Sequence, residues 1–170
     1  MNKLVAIVYP NITTAADVQQ TLEQLQTEQL IDMEDVVHAT RDEKGKIKLH
    51  HKGSSTGEGT AVGSLWGLFI GMLFLSPFFG LVVGAGTGAI AGSLSDYGID
   101  DKFIKSLGEK MQPNTSAIFV SVKSAVADKV VPEISKYGGE LLQTSLSEDT
   151  EKRLQAELDK GAAKTQHANV

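Results

Sequence analysis

The chain has 170 residues, a net charge of −5 and no cysteine. That length fits one domain with room for an insertion. The acidic balance supplies no electrostatic footprint for nucleic acid, and the missing thiols exclude disulfides, thiolate metal sites and a cysteine nucleophile.

Lys3 to Tyr9 is apolar and β-branched and stops at Pro10-Asn11, so it reads as a buried strand. Met1-Asn2-Lys3 runs straight into it. The run is too short for a signal h-region and no A-x-A site follows, so the expectation is no cleaved leader and a cytoplasmic α/β part. Thr13 or Thr14 is expected to cap a helix whose apolar stripe is Ala15, Val18, Leu22, Leu25 and Leu30, with Gln and Glu opposite. Asp35 to Arg41 reads as the next strand. Asp42-Glu43-Lys44-Gly45 makes a turn, and Lys46 to His51 returns as an alternating strand. Ile47 and Leu49 face one way on it, and Lys46, Lys48 and His50 the other.

Gly59 to Ser95, GTAVGSLWGLFIGMLFLSPFFGLVVGAGTGAIAGSLS, holds no charged residue between Glu58 and Asp96. Its glycines keep a period of four: Gly59, Gly63, Gly67 and Gly71, then, past Pro77, Gly80, Gly84, Gly88 and Gly92. That spacing puts each set on one helix face and lets two backbones approach closely. The reading is an apolar helical hairpin joined at Ser76-Pro77. Each leg of about 18 residues rises roughly 27 Å, close to the roughly 20 residues of a spanning helix. Lys44, Lys46, Lys48 and Lys52 before the hairpin, and Lys102 and Lys105 after it, agree with both flanks lying on the cytoplasmic side. Trp66 suits an interfacial anchor. The tip, with Phe74, Pro77, Phe78 and Phe79, is more apolar than a loop that emerges into water, so it re-enters the membrane or packs into other subunits. Helices apolar on all sides need lipid or copies of the chain to cover them.

After the hairpin, Asp100 or Asp101 starts a short helix with Phe103, Ile104, Leu107 and Met111 on its apolar side, stopped by Pro113-Asn114. Ser116 to Lys123 alternates with apolar residues on both faces, a central-strand pattern. Val126 to Tyr137 is expected to be helical despite Pro132. Gly138-Gly139 turns it into a strand from Glu140 to Ser145, and Ser147, with Thr150 and Glu151, opens a last helix carrying Leu154 and Leu158. The expected class is α+β: a ferredoxin-like β-α-β-β-α-β plait with the hairpin between its third strand and second helix, followed by an α-β-α extension. The expected organisation is 1–56 for the first part of the plait, 57–95 for the hairpin, 96–160 for the second part with the C-terminal helix, and 161–170 for a disordered tail.

Motifs for chemistry are sparse. Gly84-x-Gly86-x-x-Ala89 fits a loose dinucleotide fingerprint but lacks the strand and acid that the motif needs. Gly57-x-Gly59-x-x-x-Gly63-Ser64 lacks the phosphate-loop lysine. His50 and His51 point to opposite strand faces, so one ion does not easily take both; His38 on the neighbouring strand is placed to pair with one of them, but a solvated or stacked histidine is expected instead. Asp32, Glu34, Asp35, Asp42 and Glu43 read as solvated charge at strand ends. No G-x-S-x-G serine and no acid–base dyad is spaced for catalysis. No enzyme activity, metal or cofactor is therefore expected.

The chain resembles a bacterial family known only as domain of unknown function 1269, described as predicted membrane proteins. The carriers are LVAIVYP at 4–10, DMEDVVHATRDEKGKIKLHH at 32–51, the glycine-periodic segment, Asp96-Tyr97-Gly98-Ile99, and GGELLQTSLS at 138–147. The resemblance implies a membrane-associated protein and brings no catalytic residue with it. The expected function is non-enzymatic: self-assembly and association with a lipid membrane, at the bacterial inner membrane with the α/β part in the cytoplasm. The alternative is a cytoplasmic homo-oligomer, a shell or filament with the hairpins buried between subunits. A pore has only Thr60, Ser64, Thr87 and Ser93 to line it, and a small-ligand sensor has no pocket residues in its favour.

Overall fold

The computed structural model describes residues 3–51, 101–142 and 146–168. They form one five-stranded antiparallel sheet and four helices: β1 (Lys3–Tyr9), α1 (Thr14–Thr27), β2 (Ile31–Arg41), β3 (Ile47–His51), α2 (Asp101–Lys110), β4 (Thr115–Ala125), α3 (Ala127–Ser135), β5 (Glu140–Leu141) and α4 (Glu148–Ala168). The strand order is β3-β2-β4-β1-β5. The element order is the one expected. The expected hairpin at 57–95 lies outside the described residues.

The neighbours within the sheet differ from a plait built on the first six elements. Such a plait puts its third strand between the first two. Here β3 sits on the outer edge of β2, and β4 lies between β1 and β2, with Ile7 opposite Ile118 and Val36 opposite Val120. Side chains explain the exchange. Ala117 and Phe119 of β4 enter one core and Ile118 and Val120 the other, so this strand must be covered on both faces. β3 has Lys48 and His50 on one face and Ile47 and Leu49 packed on the other, which suits an edge. The expected C-terminal extension is likewise part of the sheet, because β5 pairs with β1.

Helices cover both faces. Between the sheet and α1, α3 and α4 lie Tyr9 and Ile118 from the strands, Val18 and Leu22 of α1, Val130 of α3 and Leu158 of α4, all buried. Against α2 lie Leu4, Val37 and Phe119, closed over by Leu107 and Met111. Each large apolar side chain buried here contributes ~1.5–3 kcal/mol.

Three local details correct the sequence reading. Thr13 occupies the N-cap of α1 in an αR conformation and makes no side-chain cap bond. Asn11 does that work: its Oδ1 accepts from the Thr14 and Thr13 backbone N–H groups at 2.9 and 3.2 Å. β2 starts at Ile31 rather than Asp35, with register shifts around Met33 that keep Met33 and Val36 in one core. And α4 continues through Ala168, past the point where a disordered tail is expected. The continuation has a packing reason: Gly161 and Ala162 lie directly against Ser135 and Gly138 at the end of α3.

Candidate functional site

The expected functional residues Gly59, Gly63, Gly67, Gly71, Gly80, Gly84, Gly88 and Gly92, and the anchor and tip residues Trp66, Phe74, Pro77, Phe78 and Phe79, lie outside the described residues. The structure shows the two elements that flank them, β3 before and α2 after.

Both are rooted at one corner. Arg41, the last residue of β2, pairs with Ile47, the first residue of β3. Its guanidinium donates from Nη1 to the Met111 carbonyl just past the end of α2, and its own carbonyl accepts from the Asn114 backbone N–H at 2.9 Å. Helix C-termini leave carbonyls without intrahelical partners, and an arginine fork is suited to them. Ile47 and Leu49 of β3 share a core with Leu107 and Met111. Strand and helix are thus held at the Arg41 corner, at the ends remote from residues 52–100. An exposed ion pair, Lys110 Nζ with Glu140 Oε1, ties the end of α2 to β5 and is worth ~0–1 kcal/mol.

On the opposite face of β3 is a polar cluster. His38 of β2 and His50 of β3 are direct cross-strand partners. Their rings stack with centroids 4.5 Å apart and planes 11° from parallel. His38 Nδ1 lies 2.5 Å from Gln19 Oε1 on α1, while Gln19 Nε2 donates to Glu23 Oε1 at 3.0 Å. The carboxylate only accepts, which turns the Gln19 amide oxygen toward His38. His38 therefore carries its proton on Nδ1 and takes up a second one at Nε2. His50 Nε2 lies 3.1 Å from the Thr40 hydroxyl.

Burial is the main force lowering the His38 pKa to about 4, with His50 adding to it and Glu23 opposing it. His50 is also lowered, by burial first and then by Lys48. Two neutral, stacked imidazoles are the form this site favours near neutral pH.

That His38 can pair with a histidine of the neighbouring strand is legible in the sequence; which histidine, and the stacking, are shown by the structure, and Gln19 and Glu23 are not singled out by the sequence. The available signal was their spacing of four, which places both on one face of α1. Among the described residues no group of three or more His, Asp or Glu side chains is arranged to hold a metal ion, and no helix is long and apolar enough to cross a membrane.

A family model described as "Protein of unknown function (DUF1269)" matches residues 60–159, more than half of the chain. The match covers the glycine-periodic segment from Thr60 onward and the elements from α2 into α4; LVAIVYP and the β2–β3 pair precede it. No curated protein and no solved structure matches the chain.

Proposed function

The chain belongs to the DUF1269 family of proteins of unknown function, and from that premise we propose that it is a non-enzymatic, membrane-associated, self-assembling protein. An α+β frame carries an apolar, glycine-periodic hairpin that inserts in the membrane or joins copies of the chain. The observation that carries this reading is the stretch from Gly59 to Ser95, uncharged and with glycines every four residues in each half. Helices of that composition need cover on every side. Among the described residues α1, α3 and α4 pack on one sheet face and α2 on the other, and in this reading lipid or other hairpins provide the cover.

In this reading Gly63, Gly67, Gly71, Gly80, Gly84 and Gly88 make the close helix contacts. Trp66 sits at the interface, and the frame stays on the cytoplasmic side of a bacterial inner membrane with the flanking lysines. The frame itself we read as a ferredoxin-like plait made of β1-α1-β2-β4-α3-β5. β3 is an added edge strand, and the hairpin is inserted between the plait's second and third strands.

Fractionation of the untagged protein tests the placement. It should remain in the pellet through a carbonate wash and need detergent for release. Replacing Gly67 or Gly84 by Leu should change the oligomer size, and an unchanged size in both variants would refute the zipper. The second reading is a soluble homo-oligomer with the hairpins at its centre. It is favoured by the tip, Leu73 to Phe79, whose only polar side chain is Ser76. It requires the protein to stay in the supernatant without detergent and elute as a large particle.

A further inference from the structure

We propose that the stacked pair His38 and His50 is an acid-sensitive latch that holds β3, the strand leading into the 52–100 segment, against β2 and α1. The observations are geometric. β3 is five residues long, lies at the sheet edge, and has β2 as its only strand neighbour among the described residues. On the α1 side of the sheet the His50 ring lies on His38 at 4.5 Å with its Nε2 3.1 Å from the Thr40 hydroxyl, and His38 is in turn held by Gln19 of α1. The facing groups of every element in contact are Gln19 and Glu23 from α1, His38 and Thr40 from β2, and Lys48 and His50 from β3.

Protonating this cluster places one imidazolium on another, with Lys48 alongside. The one carboxylate that faces it among the described residues, Glu23, already accepts from Gln19. Like charges in stacked contact repel, and opening β3 relieves them by returning both rings to water. The direction follows from linkage. A free histidine titrates near 6.5, and the latched His38 near 4. The open strand therefore binds more protons across that interval. The closed form is fully favoured above about pH 6.5 and loses ground as the pH falls toward 4. The consequence is local. β1 and β4 carry no histidine, so the strand next to the segment loosens while the centre of the sheet holds. This inference does not depend on whether lipid or other subunits cover the hairpin.

Hydrogen–deuterium exchange of the full chain at pH 7 and 4.5, corrected for intrinsic exchange, is the test. The expected result is a rise of about tenfold or more in the opening of residues 47–50, with β1 and β4 unchanged. The His50→Gln variant should show a smaller acid response, and His38→Gln with His50→Gln none. Three results would overturn the latch: β3 protection independent of pH, equal acid opening of β1 and β4, or a full acid response retained without the histidines. If the double variant does not fold at pH 7, the wild-type pattern and the single variant still decide.

Discussion

Gly161 in α4 lies so close to α3 that a Cβ there would stand 1.4 Å from the Ser135 carbonyl oxygen and 2.4 Å from its carbon. Backbone cannot yield as a flexible side chain does, so Gly161→Ala must push α4 off α3. The expected cost is about 3 kcal/mol, read as a lower urea midpoint. Gly108 in α2 is the control: nothing lies within 4 Å of its would-be Cβ, so Gly108→Ala should be neutral or stabilise by ~0.5–1 kcal/mol. Equal effects in the two variants would sink the close-crossing argument.

Tyr9 makes a different case at the same scale. Its ring is buried beneath Gly139, which has φ +100 and whose Cβ would fall 2.6 Å from the ring. The Tyr9 hydroxyl is buried without a hydrogen-bond partner. Tyr9→Phe removes that unmet group and should leave stability unchanged or raise it by ~1 kcal/mol at neutral pH. Burial, and then Tyr137, raise the Tyr9 pKa above its ordinary value. The neutral phenol is favoured by the fold, so its stability contribution is complete below about pH 10 and falls as the pH climbs beyond it. The alkaline decline in the urea midpoint should be shallower in Tyr9→Phe. An identical decline would assign the effect to other groups.

At the scale of elements, alternation told more about faces than about neighbours. Ser116 to Lys123 reads as a central strand because Ala117 and Phe119 oppose Ile118 and Val120, and that is the slot β4 fills. The turn Asp42 to Gly45 is equally legible, closed by the bond from the Asp42 N–H to the Lys46 carbonyl at 2.9 Å with Gly45 at φ +78. Which strand lies between β1 and β2 is not local information. It depends on which of β3 and β4 needs two covered faces, a comparison that periodicity along one strand does not make. The polar cluster was half legible for the same reason. His38 and His50 are found by pairing β2 with β3, but Gln19 arrives from α1 across the sheet. Within this frame Leu107 of α2 is fully buried. Leu107→Ala should cost ~2–5 kcal/mol, and exchange protection in α2 should fall more than in α1. Uniform loss across all helices would mean that α2 is not a separately anchored element.

For the whole molecule, the joints of residues 52–100 decide what the segment can be. β3 starts opposite Arg41 and α2 ends beside it, so the chain departs and returns as an excursion from one folded unit. Among the described residues, strands and helices supply a core on each face of the sheet. In the proposed function the hairpin is no part of that core, and a shorter connection should suit the frame at least as well. Closing a loop costs about (3/2)RT ln n, so making it roughly threefold shorter favours folding by about 1 kcal/mol. Replacing 57–95 by a short Gly/Ser linker should therefore leave the far-UV spectrum of the frame intact and its urea midpoint equal or higher. In the proposed function the same variant should lose pelleting and self-assembly together. If the shortened chain unfolds, the hairpin is part of the frame's core and the modular reading fails. If it stays folded but still pellets and assembles, surfaces of the frame carry the association, and the glycine-periodic segment has a different task.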